Sequence, residues 1–331
     1  MTMKQNVFSD KMTGCLLGGL IGDAMGAPAE CKTYQYIEET YGEINDFEGE
    51  GTDDSVIKMI LCNAIIENQG YVTADEFAES FMKSKDKYHY FFVPVKNMFN
   101  KIQSKLSLPV YAGLGNMQSS SSAMAISPMG LLNACNPRQA AIETYDVAGL
   151  IHADVATFCR DGACAIAAAV AEAMKPDATV NSVLDAATAY LHKVSSAEMI
   201  KCIKDTLNMA KSVNDYKMFR EKFYETNLRD EVCDSRETVP CVFALFYLAQ
   251  GDPVKSIIYG ANFGRDADTI GTMVGAISGA FKGVQGLKSE WVEKVNKYNP
   301  GQSELAAKII EIVKTKIEDT KASINLFEQT I

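Results

Sequence analysis

Two short acidic segments contain the residues of this chain best suited to chemistry. The segment 52–55 (TDDS) follows a glycine-rich loop, the segment 264–269 reads GRDADT, and each precedes an apolar stretch. Either one alone can be explained as a helix cap, because Asp, Thr and Ser accept hydrogen bonds from the first N–H groups of a helix. Together they indicate more, since adjacent carboxylates repel each other unless a cation is present.

The ligand types in these segments favour particular metals. Oxygen ligands without histidine or cysteine favour Mg²⁺ or Mn²⁺ over zinc, and four aspartates with two threonine hydroxyls are enough to anchor two such ions. On a helix, Asp266 and Asp268 would lie about 200° apart. Their convergence therefore requires a turn ahead of the helix, which Gly264 permits.

The elements that position these residues are predicted to be helices. Apolar periodicity indicates twelve of them and almost no strand, at residues 11–26, 54–68, 74–84, 138–151, 162–174, 180–193, 197–212, 216–225, 238–250, 253–262, 269–282 and 303–318. Residues 163–174 are small and apolar on every side, which predicts a buried central helix. No long Pro/Ser/Gly linker interrupts the chain, so we expect one all-α domain.

Glycine recurs every fourth residue in two of these stretches. One stripe is Gly14, Gly18, Gly22 and Gly26, and the other is Gly271, Gly275 and Gly279. A glycine inside a helix costs about 1 kcal/mol relative to alanine, so a repeated stripe needs a compensating gain. The simplest gain is a second backbone packed very close, and we predict that two helices are in near contact.

Composition excludes several classes of protein. The net charge of −10 argues against a nucleic-acid partner. The nine cysteines are scattered without a C-x-x-C pair, which is typical of reduced core residues in a cytosolic protein. No apolar run approaches the roughly 18 residues of a membrane span. We expect a cytoplasmic protein that is a monomer or a weak homodimer and does not associate with membranes.

Three motifs, in this order and at these distances, resemble the ADP-ribosylglycohydrolase family, which includes the dinitrogenase reductase-activating glycohydrolases. They are GCLLGGLIGDAMGAPAE, GTDDSVIKMIL and NFGRDADTIGTMVGAISGA, and the resemblance covers residues 11–285. It implies that residues 1–331 form a single all-α domain, a compact orthogonal helical bundle with a binuclear metal site.

The resemblance also implies roles for individual residues. Asp53, Asp54 and Asp266 are candidate catalytic residues, and Glu30 joins them because it follows the motif Gly-Ala-Pro as the family's acidic residue beside the scissile bond does. The implied metal ligands are Thr52, Asp53, Asp54, Asp266, Asp268 and Thr269.

Four further residues are candidate substrate contacts. His152 matches the family's Thr-His or Ser-His in part, because Ile151 replaces the hydroxyl residue. Ser121 and Ser122 lie where many members have Gly-Asn-Gly followed by Ala-Met-Arg, and this chain lacks that arginine. Glu237 precedes an apolar helix, either as a surface residue or as an acceptor for sugar hydroxyls. Arg265 is either a counter-ion or a phosphate contact.

Three hypotheses about function follow. The first is a two-metal hydrolase that cleaves an N- or O-glycosidic bond at the ribose anomeric carbon, removing ADP-ribose from a modified protein side chain. The second is a hydrolase of a small ribosyl compound such as a nucleoside. The third is an ADP-ribose-binding protein without turnover, against which the complete acidic set speaks.

Overall fold

A computed structural model describes residues 7–154 and 157–331, and every regular element in these ranges is helical. The α-helices are α1 Val7–Gly26, α2 Tyr34–Tyr41, α3 Asp53–Glu67, α4 Ala74–Lys83, α5 Val93–Gln103, α6 Pro109–Ala112, α7 Ser127–Leu132, α8 Pro137–Gly149, α9 Thr157–Ala173, α10 Val180–Ala189, α11 Ala197–Val213, α12 Tyr216–Thr226, α13 Ser235–Leu248, α14 Pro253–Ala261, α15 Ala267–Lys282, α16 Ser289–Tyr298 and α17 Gln302–Glu328. Short 3₁₀ turns lie at Ala27–Ala29, Lys85–Lys87, Ser120–Ser122 and Val284–Gly286. The predicted all-α class is confirmed.

Five of these helices were not predicted from the sequence: α2, α5, α6, α7 and α16. Four of them have at most ten residues, and such short stretches give only a weak periodic signal in the sequence. The C-terminal helix is also longer than predicted, because its exposed second half continues to Glu328.

The helices α1 and α15 pack antiparallel with their backbones in contact. A Cβ added at Gly18, Gly22, Gly275 or Gly279 would overlap a backbone carbonyl of the other helix. Gly14 faces Gly279 and the C-terminal end of α1 faces the start of α15. The predicted near contact of two glycine-striped helices is therefore confirmed, and it brings the motifs at their ends together.

The helix α9 lies at the centre of the apolar core, as predicted. It contacts α7, α8, α10, α13 and α15, and nearly all its side chains are buried. At its C-terminal end, the buried Lys11 of α1 donates to the carbonyls of Ala173 at 2.7 Å and Lys175 at 2.8 Å. A cation at this position satisfies carbonyls that have no partner within the helix.

Five of the nine cysteines are buried in the core, as expected, whereas Cys31 and Cys135 are exposed. Within the described residues, no helix combines the length and apolar character of a membrane span.

The contact between α1 and α15 predicts which glycine the fold cannot replace. Gly22→Ala should destabilise the protein by about 2–3 kcal/mol, because its new Cβ meets rigid backbone. Gly149→Ala is the control, since its nearest neighbour is the flexible Arg160 side chain at 3.2 Å. That change should alter stability by no more than about 1 kcal/mol. Urea denaturation measures both variants, and equal effects would contradict the close packing.

Candidate active site

A pocket of about 100 Å³ opens where α3 and α15 begin. Its wall includes five carboxylates and a threonine: Glu30, Asp53, Asp54, Asp266, Asp268 and Thr269. A larger groove of about 470 Å³ lies between α17 and residues 132–139, but no carboxylate, histidine or cysteine lines it. The chemistry of the lining groups, rather than volume, marks the smaller pocket as the candidate site.

The start of α3 is held by a carboxylate from α1. Thr52 caps α3 by accepting a hydrogen bond from the Asp54 N–H. The fully buried Asp23 accepts from the Thr52 N–H and hydroxyl at 3.0 and 2.9 Å, and from the N–H and hydroxyl of Ser55. Four donors on one carboxylate fix the direction in which Asp53 and Asp54 leave the loop.

The start of α15 is set by the predicted turn. Gly264 has φ +78° and Arg265 has φ +60°, and a Cβ at Gly264 would come within 2.5 Å of the Lys32 carbonyl. The backbone of Arg265 pairs with the two residues after Glu30: the Cys31 N–H donates to the Arg265 carbonyl, and the Arg265 N–H donates to the Lys32 carbonyl, both at 2.7 Å. This turn places both Asp266 and Asp268 in the pocket wall, as the sequence analysis required.

The carboxylates of this pocket are buried next to one another, and this raises their pKa values. Burial, with the repulsion of neighbouring carboxylates, raises the pKa of Asp53 and of Asp266 to about 7 and raises the pKa of Asp54 and Asp268 well above its ordinary value. Three buried oxygens of these pocket carboxylates have no hydrogen-bond partner among the described residues: Asp53 Oδ2, Asp54 Oδ1 and Asp268 Oδ1. Such groups need a proton or a cation.

Glu30 occupies the exposed rim of the same pocket. Partial burial and then the charge of Asp23 raise its pKa.

A buried lysine lies on the other side of the acidic residues from the pocket. Lys58 is 1% exposed, and its Nζ donates to Thr272 Oγ1 at 2.7 Å. Burial lowers its pKa, and the nearby Asp23 and Asp54 act in the opposite direction. Lys58 was not predicted from the sequence, although a lysine among the apolar residues of VIKMIL is a visible signal.

The serine-rich segment forms one wall of the pocket through Ser120 and Ser121. Ser120, which was not among the predicted contacts, donates to Asp266 Oδ2 at 2.6 Å. Ser122 does not line the pocket; its hydroxyl bonds His152 Nδ1 instead. Of the two predicted serines, only Ser121 lines the pocket.

His152 lies behind this wall and is fully buried. Its Nε2 is 3.1 Å from the Met117 carbonyl, which can only accept, so Nε2 carries the proton and Nδ1 accepts from Ser122. Burial lowers the pKa of His152 to about 4. In place of the predicted substrate contact, the structure gives His152 the task of holding the serine turn.

Glu237 also lies outside the pocket, because it is fully buried against Arg265. Its Oε1 accepts from Arg265 Nε at 2.8 Å, and its Oε2 accepts from Arg265 Nη2 at 3.0 Å and the Arg229 N–H at 2.7 Å. Because both of its oxygens are turned to these donors and the side chain is fully buried, Glu237 holds the turn ahead of Asp266. Arg265 is accordingly a counter-ion, one of the two roles considered for it.

Comparisons with known proteins identify the family of this chain. The profile of the family described as ADP-ribosylglycohydrolase matches residues 3–321. The chain belongs to the ADP-ribosylglycohydrolase family.

Two relatives and one solved structure illustrate how similar this chain is to known proteins. The chain is 27% identical to the protein YegU of Escherichia coli (strain K12), covering 84% of this chain and 90% of YegU. It is 22% identical to the ADP-ribosylhydrolase ARH3 of Bos taurus, over 87% and 89% of the two chains. A solved ADP-ribosylglycohydrolase-related protein complex shares the fold, with a TM-score of 0.69 at 17% identity over 92% and 99% of the chains.

For this family member, the burial of His152 predicts a pH-dependent stability. The unfolded chain takes up the proton near pH 6.5 but the folded chain only near pH 4. The stability that neutral His152 contributes is thus complete above about pH 6.5 and is lost as the pH falls towards 4, by about 3 kcal/mol.

Urea denaturation from pH 4 to 7 tests this. His152→Gln should flatten the stability profile in that range, whereas His89→Gln, at an exposed position, should leave it unchanged. An unaltered slope in His152→Gln would show that another group controls the acid limb.

Proposed function

We propose that this protein hydrolyses an N- or O-glycosidic bond at the anomeric carbon of a ribose, with two bound Mg²⁺ or Mn²⁺ ions, and removes ADP-ribose from a modified protein side chain. The observation that carries the proposal is the convergence of five carboxylates on one pocket, three of them with a buried oxygen that has no partner. Family membership supports the glycosidic reaction.

The residues present fit divalent cations of the hard, oxygen-preferring kind. Asp53 and Asp54 approach from α3, Asp266, Asp268 and Thr269 from α15, and the Thr269 hydroxyl lies 3.4 Å from Asp54 Oδ2. In the described ranges, no three Asp, Glu, His or Cys side chains meet in a geometry that holds an ion. Threonine hydroxyls, including Thr52, and water would complete the shell, as is usual for Mg²⁺, which takes one or two carboxylates and keeps its water.

The protein's own residues supply the rest of the proposed mechanism. Bound cations of this type fix sugar hydroxyls and lower the pKa of water. The negative wall of Asp53, Asp54 and Asp266 stabilises positive charge that develops on the sugar as the bond breaks. Glu30 is the best-placed proton acceptor for the attacking water, because it lies at the rim and its raised pKa brings proton exchange closer to neutral pH.

A second candidate function is hydrolysis of a small neutral riboside such as a nucleoside. Among the residues that line the pocket there is no lysine, arginine or histidine to pair with a diphosphate, and the nearby Arg265 is occupied by Glu237. Phe92, Met124 and Val232 in the same lining offer an apolar surface for a base.

Product analysis by mass spectrometry separates the candidates. The protein is incubated with Mg²⁺ or Mn²⁺ and a panel of ADP-ribosylated peptides, free ADP-ribosyl compounds and nucleosides. Release of ADP-ribose supports the first function, and release of free ribose the second. Asp266→Ala should lose nearly all turnover, whereas Asp161→Asn should keep it, since Asp161 binds Ser196 outside the pocket. If the protein binds metal but turns over no compound of the panel, it is a binding protein rather than an enzyme.

Charge repulsion in the pocket predicts that Asp268→Asn stabilises the metal-free protein and removes the stabilisation by Mn²⁺. In EDTA, Asp268→Asn should raise the melting temperature, because it removes one of several buried like charges. Excess Mn²⁺ should raise the melting temperature of the wild type by roughly 3–6 °C and that of Asp268→Asn hardly at all. Thermal unfolding with and without Mn²⁺ measures both effects, and an equal Mn²⁺ response in the two proteins would refute a cation site at Asp268.

A further inference from the structure

The three helices that meet at the site carry a second layer of side chains one turn below the acidic one. On α3, Lys58 lies four residues after Asp54, and on α15, Thr272 lies four residues after Asp268. On α1, which runs in the opposite sense to α15, Gly19 lies four residues before Asp23. Residues four apart share a helix face, so Lys58, Thr272 and Gly19 stack beneath the carboxylates.

The second layer encloses an ammonium group. Lys58 is 1% exposed, Thr272 is fully buried, and the distance from Nζ to Thr272 Oγ1 is 2.7 Å. A Cβ added at Gly19 would come within 2.6 Å of Nζ, so the missing side chain of Gly19 provides the space for this group. Within the described part of the chain, Thr272 is the only hydrogen-bond partner of Nζ.

A buried ammonium with one hydroxyl partner needs charge compensation to be tolerated. The charges of Asp23 and Asp54 raise its pKa, and Asp54 lies one helical turn before it on α3. A methionine would fill the same hollow without burying a charge, so packing alone does not account for a lysine here. Lys58 does not line the pocket, and it cannot touch a substrate bound there.

We propose that Lys58 is a fixed internal cation that keeps Asp23 and Asp54 in place before any divalent cation binds, and that weakens the binding of divalent cations in the layer above. The second half of this inference rests on the proposed cation site. The first half rests only on the placement of Lys58 between α1, α3 and α15. Lys58 is a positioning residue in this role, because it acts through Asp23 and Asp54.

The first test is a double-mutant cycle in EDTA with Lys58→Met, Asp54→Asn and the double variant. Lys58→Met should lower the melting temperature by roughly 5–10 °C, because it leaves buried carboxylates without their counter-ion. In the Asp54→Asn background the same change should cost less than half as much. Additive shifts would overturn the pairing. If Lys58→Met does not fold, Lys58→Gln, which retains a donor for Thr272 without the charge, takes its place in the cycle.

Lys11→Met is the matched control, since Lys11 is also a buried lysine of this bundle but donates to carbonyls at the end of α9. It should lower the melting temperature and be additive with Asp54→Asn. Coupling of Lys11 with Asp54 as strong as that of Lys58 would overturn the proposal.

The second test measures Mn²⁺ binding by titration calorimetry. Lys58→Met should bind Mn²⁺ roughly tenfold more tightly than the wild type, because one repelling positive charge is gone, and Lys11→Met should bind it as the wild type does. Equal or weaker binding by Lys58→Met overturns the second half of the inference. Failure of the wild type to bind Mn²⁺ refutes the proposed cation site and that second half together, while the cycle in EDTA still decides the pairing.

Discussion

The backbone contact between α1 and α15 is the constraint on which the site depends. Because glycine replaces every side chain that would separate the two helices, the end of α1 and the start of α15 lie side by side. Asp23 then reaches the loop before α3, and Asp268 faces Asp54 across the same gap. An alanine methyl group at these glycines would push the two helices apart and separate the carboxylates.

That contact brings several buried carboxylates together, and only part of their charge is compensated within the protein. The carboxylate of Asp23 is satisfied by backbone and hydroxyl donors. Asp54 has the ammonium of Lys58 nearby, and the oxygens that remain unpartnered face the pocket. Only the last group is free to act on a ligand, so the unsatisfied charge is concentrated where chemistry can use it.

The sequence predicted the parts of this arrangement that depend on local repetition. Glycine at every fourth position must form a stripe on a helix, and the acidic segments must lie at helix starts, so both the near contact and the paired acidic ends followed from the pattern. Asp23, Lys58 and Ser120 were missed, because their partners are separated from them by 29 to 214 residues of sequence. Glu237 and His152 were singled out from the sequence, but their position was not predicted. Whether a polar side chain faces a pocket or a neighbouring side chain is decided by tertiary packing.

The small size of the pocket means that its rim must also contribute to substrate recognition. At about 100 Å³, the cavity has less than the roughly 300 Å³ of typical small-molecule pockets, so it has room for one small group, such as the sugar of the proposed substrate, and little else. The rest of any substrate must lie on the rim, where Phe92 and residues 32–34 are exposed or partly exposed. The serine turn beside the pocket is held from behind by His152 through Ser122, and it is also tied to the acidic cluster because Ser120 donates to Asp266. A change in the serine turn therefore reaches Asp266, so the wall of the pocket and its carboxylates are mechanically coupled.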